Sequence, residues 1–370
     1  MEERQHIYYF DYLRILSLCS VIFMHTASVP LRGVRNLSWM FLNLGSSLAF
    51  TAVPLFMMMS GYLLLSDEKT LNITLLFRRR LPRLVIPFAF WNIAATVWLV
   101  FRTGEFTVHA FASQLYGALS QPVMVHFWYM YTLIAIYLIS PLLYSGLHGL
   151  DRKGRLLIFI LIVLVSAQAM CRQLAPATLD RFFNFDIINK MQFFGSHLCT
   201  FFLGYYLGSS KRAVPNWLLV SLAILCLAGI TMGTYGLTKL SGGYDQTLQD
   251  QSAGFEILLA SCIFLFCKQN LNKKIPVLYR AVRPIVALSL PIYLSHNIVL
   301  SILSHYGVYA TGFGDTMGIS VLVLAICLAV TMATTYIRPL CYPVNGLSVA
   351  GARAACRWRV RTKQTVQQAQ

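Results

Sequence analysis

The stretch FDYLRILSLCSVIFMHTAS, residues 10–28, decides what kind of protein this is. It is an apolar run of helical length, interrupted by Asp11, Arg14 and His25. A helix needs roughly 20 mostly apolar residues to cross about 30 Å of hydrocarbon, and this segment meets that requirement. The rest of the chain repeats the pattern. Of 370 residues, 57% are hydrophobic and only 12% are charged, with a mean hydropathy of +0.62. Soluble domains are roughly 45–50% apolar and about 25% charged, so too little polar surface remains here to cover a water-soluble globule. A disordered chain, a secreted disulfide scaffold and a small domain on one anchor are excluded with it. The composition predicts an all-α, polytopic integral membrane protein.

Ten spans follow from the same template, near 8–29, 46–65, 84–101, 123–145, 156–170, 191–209, 214–237, 253–268, 284–305 and 317–338. They are helices because backbone groups in lipid must be satisfied within the segment, and they are too long and too continuously apolar for barrel strands. A transmembrane domain over 1–338 and a basic tail over 339–370, with Trp358, are expected. The net charge of +17 sorts by side: 22 of the 30 Lys and Arg fall on the side that holds both termini, and seven on the other. By the positive-inside rule both termini are cytoplasmic. Most of the charge is therefore an orientation signal, and no nucleic-acid partner is expected. The tail and the inner face suit anionic membrane lipids. The opening MEERQH carries two acids where a signal peptide is basic, so cleavage is not expected. Nine cysteines without a Cys-x-x-Cys pair predict neither a disulfide framework nor a metal site.

The remaining basic residue, Arg14, lies inside the first span. Ionisable side chains at membrane depth are costly and default to functional hypotheses. Arg14 and His25 are 11 residues apart, about 20° past three full turns, so they share one helix face with an axial separation of roughly 16 Å. Asp11, three residues before Arg14, is positioned to pair with it. A snorkelling arginine and a hydrogen-bonding histidine explain each residue singly. Together they draw a polar line across most of the bilayer. A donor with an anionic head and a long thin arm would anchor near Arg14 and present its reactive end near His25, whose imidazole suits proton abstraction.

Other signals are softer. SLPIYLSHNIVL, residues 289–300, places Tyr293 three residues before His296. His126 opens HFWYMY, and interface packing accounts for it and for His197; Glu256 lies in the half of the eighth span away from the termini. FRRRLPRLVIP, residues 77–87, gathers Arg78, Arg79, Arg80 and Arg83 at the inner face, as topogenic charge or as a phosphate pocket. The loop TKLSGGYDQTLQD, residues 238–250, supplies side chains that suit a sugar or any solvated loop.

In series, these blocks resemble the bacterial membrane acyltransferase-3 family, most closely its WecH-like O-acetyltransferases. The blocks are Asp11, Arg14 and His25; PLFMMMSGYLL (Pro54–Leu64); RRRLPRLVIP; PVMVHFWYMYTLIAIYLISPLL from Pro122; and SLPIYLSH ending at His296. The resemblance implies a ten-helix inner-membrane enzyme that takes an acetyl group from cytoplasmic acetyl-coenzyme A, a co-substrate rather than a bound cofactor. The acceptor is a sugar hydroxyl of an envelope polysaccharide or its lipid-linked intermediate. Carried over, His25 is the catalytic base, Arg14 contacts the donor, and Arg78, Arg79 and Arg83 lie near the coenzyme phosphates. Tyr293, His296, Asp11 and Glu256 support the site or the acceptor. Two rivals remain open on the residues: a transporter of a small anion or acyl donor, and a scaffold that recruits partners through its basic face.

Overall fold

A computed structural model describes residues 6–104, 107–118, 121–174, 186–347 and 351, apart from the side chains of 165–174, 186–196, 277, 278 and 281. Most of the basic tail, with Arg353, Arg357, Arg359, Arg361 and Lys363, lies outside the described residues, as does part of the loop 171–190. Among the described residues every regular element is a helix. They run α1 Tyr8–Ala27, α2 Leu37–Ala49, α3 Ala52–Leu65, α4 Pro82–Thr103, α5 Val108–Gly117, α6 Trp128–Gly149 and α7 Arg152–Leu174. The second half adds α8 Asp186–Ser209, α9 Asn216–Ser241, α10 Gly254–Asn270, α11 Pro276–Ala287, α12 Ser289–His305, α13 Phe313–Thr334 and α14 Arg338–Asn345.

Among the described residues six runs are long and apolar enough to cross a membrane: Tyr8–Ala27, Leu37–Leu65, Ile73–Thr103, Val125–Gly149, Asn216–Ser241 and Phe313–Thr334. This is a polytopic membrane architecture. Apolar side chains such as Val97, Phe101, Ile224, Leu225 and Val321 are exposed on these helices, as a lipid-facing belt requires. The second run differs from the expected 46–65. It begins at Leu37, because Asn36 Oδ1 accepts from the Trp39 amide at 3.0 Å and caps α2, and it breaks only at Phe50–Thr51. The stretch 284–305 is also divided, with α11 ending at Ala287 and α12 starting at Ser289.

Glycine brings two helices into backbone contact. A Cβ on Gly61 of α3 would sit 1.7 Å from the Phe201 carbonyl oxygen of α8, and one on Gly204 would sit 2.1 Å from the Met58 carbonyl oxygen. Small residues at such crossings replace the hydrophobic drive that lipid removes. Around this seam Leu18, Ile22, Met57, Phe127, Met130, Phe201 and Leu294 form the main core. Before α4, Leu76–Arg80 forms a π-turn closed by the Leu81 amide on the Leu76 carbonyl at 2.9 Å. At the other end of the chain, α14 folds back on α4. There the Trp91 indole N–H donates to Val344 O at 3.2 Å, and Gly346 at φ 65° lies where a Cβ would meet Arg83 O at 2.5 Å.

Candidate active site

Helix α1 is unbroken, so Arg14 and His25 share one element, and each meets a separate cluster. At the Arg14 end, Asp11 is buried and takes two partners. His6 Nε2 lies 2.6 Å from its Oδ2, and Arg14 Nη1 lies 3.6 Å from its Oδ1. The Arg14 side chain keeps 34% of its surface accessible, so its charge is held on one side and open on the other. Tyr137 of α6 lies within electrostatic reach of both Arg14 and Arg80. It also lines a cavity of about 380 Å³ with Asp67, Arg80, Arg83, Ser289 and Asn345.

The basic block divides at this cavity. Arg80 is tied down: Nη2 donates to Asp67 Oδ2 at 2.9 Å and Nη1 to Thr70 Oγ1 at 2.8 Å. Arg83 carries no hydrogen bond or ion pair among the described residues and lines the cavity as a free cation. Arg78 and Arg79 are exposed and do not line it. The structure thus gathers Arg80 and Arg83, whereas the resemblance selects Arg78, Arg79 and Arg83. The π-turn sets the register, swinging Arg80 inward and leaving its two neighbours on the surface.

At the other end three imidazoles meet. Ring centroids are 5.3 Å apart for His25 and His296, 5.9 Å for His25 and His126, and 4.5 Å for His126 and His296. Their hydrogen bonds assign different tasks. His126 is saturated: Nε2–H donates to Leu294 O at 3.3 Å, and the Asn297 amide faces Nδ1 at 3.4 Å. His296 donates Nδ1–H to Tyr293 O, which leaves Nε2 as a buried lone pair without a partner. The His25 ring has no hydrogen bond among the described residues and is only half-buried. It is the member of the trio free to engage a substrate. Among the described residues no three His, Cys, Asp or Glu side chains are placed to hold a metal ion.

Tyrosines join the two ends. Tyr293 donates its hydroxyl to His126 O at 2.7 Å, and its ring lies 5.4 Å from Tyr129. The Tyr129 hydroxyl is paired with Ser60 and lies within electrostatic reach of Arg14. A seam of polar aromatic groups therefore runs from the Arg14 cluster to the histidines. A family model described as an acyltransferase domain, Acyl_transf_3, matches residues 7–337. The chain belongs to the acyltransferase-3 family. Membership makes it a membrane acyltransferase, with an acyl donor and a hydroxyl-bearing acceptor. No curated protein and no solved structure matches the chain.

Two residues in these clusters carry only soft signals in the sequence: His126, which interface packing also explains, and Arg80, one of four neighbouring arginines. A signal for His126 was present. It opens a span that starts at the depth where the first span carries His25. His197, by contrast, stacks on Trp128 at 5.1 Å between centroids and stands outside the trio. Glu256 is wholly buried in the first turn of α10 and makes no ring or hydrogen-bond contact with the trio among the described residues.

Proposed function

We propose that the chain is a WecH-like O-acetyltransferase of a bacterial inner membrane, with ten spans and both termini cytoplasmic. It moves an acetyl group from cytoplasmic acetyl-coenzyme A to a sugar hydroxyl of an envelope glycan or its lipid-linked intermediate. The observation that carries this is the pair of clusters on one helix. An open guanidinium and a basic cavity lie at one end, and a half-buried, unpaired imidazole lies at the other. The excess of basic residues at the cavity end supports a cytoplasmic donor. The basic residues Arg353, Arg357, Arg359, Arg361 and Lys363 near the C-terminus suit anionic lipid headgroups of the inner leaflet.

Arg83 and Arg14 hold donor phosphates, and Arg80, neutralised by Asp67, shapes the cavity wall. Asp11 keeps Arg14 aimed along the seam. The pantetheine arm follows Tyr137, Tyr129 and Tyr293 and brings the thioester to His25. The acceptor hydroxyl gives its proton to His25 as its oxygen attacks the acyl carbon. The carbon–sulfur bond breaks, and the thiolate leaves with the proton that His25 took, so the imidazole is regenerated. His296, anchored by Tyr293, keeps its free Nε2 lone pair beside the His25 ring, where it is placed to accept from the His25 N–H once the acceptor draws that ring in.

The test compares envelope polysaccharide from cells that carry wild-type or His25→Ala protein at equal membrane levels. Mass spectrometry should find the acetyl increment only with the wild type. Full acetylation with the variant overturns the mechanism. Uptake of a donor by sealed vesicles without acyl transfer overturns the enzyme in favour of a transporter.

A further inference from the structure

Between α9 and α10 the chain turns back into the bundle. Asp245 N–H donates to Thr238 Oγ1 at 3.1 Å. Leu248 then lies on Gly233, where a Cβ would come 2.2 Å from its Cδ1. Gln249 is 1% exposed, and its Nε2 donates to Asn43 O at 3.1 Å, Asn43 Oδ1 at 2.8 Å and Ser47 Oγ at 2.9 Å. Residues 242–253 thus form a strap of non-helical backbone that descends beside α9 to the level of Thr231, whose carbonyl accepts from Asn43 at 2.8 Å. At membrane depth such backbone is tolerated only where it is buried in protein or lines a cavity.

The foot of the strap is rich in unpartnered oxygen. Of eleven buried side-chain polar atoms without a hydrogen bond among the described residues, five lie on the facing α2, α9 and α10. They are Ser46 Oγ, Thr231 Oγ1, Thr234 Oγ1 and both carboxylate oxygens of Glu256. Glu256 is wholly buried, faces Cys226 on α9, and has Asp250 of the strap as a like-charged neighbour. Leaving buried groups unpaired costs about 1–3 kcal/mol each, so this many together call for a ligand.

The chemistry narrows the ligand. The carboxylate of Asp250 repels anions at this point, which disfavours phosphate and coenzyme. Hydroxyl, carboxyl and carboxamide groups match a ligand whose own hydroxyls both donate and accept. The rings of Trp39, Tyr235 and Tyr244 flank the strap, with Trp39 6.0 Å from Tyr235 and 6.4 Å from Tyr244. Its depth also matches the histidine end. Gly45, beside these α2 residues, packs on Phe23, two residues before His25. Asp250 lies within electrostatic reach of His197, whose ring stacks on Trp128, next to the trio.

We propose that the interface beneath the 242–253 strap is a saccharide-binding seat for the neutral sugar of the acceptor, held closed by the Gln249 carboxamide. The proposal rests on the acyl-transfer reading above. Sugar hydroxyls replace the bonds of Gln249 Nε2 to Asn43 and Ser47, while Tyr244 keeps its bond to Gln249 Oε1, and satisfy Ser46, Thr231, Thr234 and Glu256 as the strap lifts.

The experiment uses the full-length protein in nanodiscs and follows tryptophan fluorescence with methyl glycosides of glucose, galactose, mannose and rhamnose. At least one should give a saturable change, weakened about tenfold by Glu256→Gln, which puts an N–H donor where a carboxyl oxygen accepts, and by Thr234→Val, which removes a hydroxyl. Gln249→Ala should tighten binding, and Trp39→Phe should diminish the signal. No response to any glycoside overturns the seat, as does an affinity untouched by both Glu256→Gln and Thr234→Val. A response to sodium chloride in place of the glycosides assigns the oxygens to a cation and also overturns it. Acetyl-coenzyme A binding by the same preparations separates the two readings. Loss of donor binding in the wild type defeats the acyl-transfer reading while glycoside binding leaves the seat standing.

Discussion

Replacing Gly61 with alanine tests the packing that holds both clusters in register. The added Cβ would lie 1.7 Å from Phe201 O and 2.6 Å from its carbonyl carbon, both backbone atoms. Ordinary carbon–oxygen contact starts near 3.2 Å, so α3 and α8 must separate by roughly 1.5 Å at this point. Overpacking costs about 1–3 kcal/mol when side chains can absorb it. Here neither partner can rotate away, and a loss of at least about 3 kcal/mol is expected. Gly229→Ala and Gly236→Ala in α9 are the controls, because a Cβ there meets nothing within 4 Å. In those two variants alanine should be neutral or stabilising by about 0.5–1 kcal/mol through helix propensity. Reversible unfolding in mixed micelles with added dodecyl sulfate gives the free energies. Acetyl transfer by the folded fraction should fall as well, because neighbouring Ser60 holds Tyr129 in the seam. Equal stability of Gly61→Ala and the two controls would refute the close crossing and the register it sets.

Three further outcomes follow from the same geometry. Arg83→Gln should raise KM for acetyl-coenzyme A about tenfold with kcat little changed, and should flatten the salt dependence of KM, since it removes an unpaired cation from the cavity. His296→Ala should lower kcat about 100-fold while donor binding measured by equilibrium dialysis stays intact, and His296→Gln should recover part of the loss. Lys268→Met should destabilise the protein by about 1–2 kcal/mol in the same micellar titration, because the ammonium donates to Leu207 O at 2.7 Å and Ser210 O at 2.5 Å at the end of α8.

The helices were legible because lipid forces long apolar segments, and the six runs that are long and apolar enough to span, among the described residues, overlap six of the ten stretches read as spans. The shared face of Arg14 and His25 was equally legible, since within one helix angle and rise follow from counting. What escaped depends on contacts between segments. The start of α2 was hidden because Ser38, Asn43, Ser46 and Ser47 dilute its hydropathy, and only α9 and the strap explain how Asn43, Ser46 and Ser47 come to be buried. His126 lies 101 residues beyond His25, so nothing local joins the two rings. The stretch 238–250 suits a sugar or a solvated loop equally by composition, and only its tertiary contacts show Leu248 and Gln249 buried. Hydropathy counts polar residues and is blind to whether tertiary partners await them.

Pairing separates scaffold from site among the scarce charges. In an apolar medium an isolated charge is expensive, so a partner marks a group whose task is structural. Asp11 with His6, Asp67 with Arg80 and Lys268 on the α8 carbonyls are of this kind. Within the cavity, the histidine trio and the strap, Arg83, the His25 ring, His296 Nε2 and Glu256 are without a partner among the described residues. They are not scattered. One lies in the basic cavity, two in the histidine trio and one at the foot of the strap, where a donor head, a reacting hydroxyl and an acceptor sugar would each need a free group. Arg14 stands between the classes, with a carboxylate on one side and a third of its surface open on the other. That half-paired state suits a residue that must stay aimed without a ligand and still bind one. Asp11→Asn, which removes the aim but leaves the Arg14 guanidinium in place, should therefore raise donor KM less than Arg14→Gln does. An equal rise in both, measured on protein of equal stability, would mean that the pair acts only as a unit and that Arg14 has no separate contact with the donor.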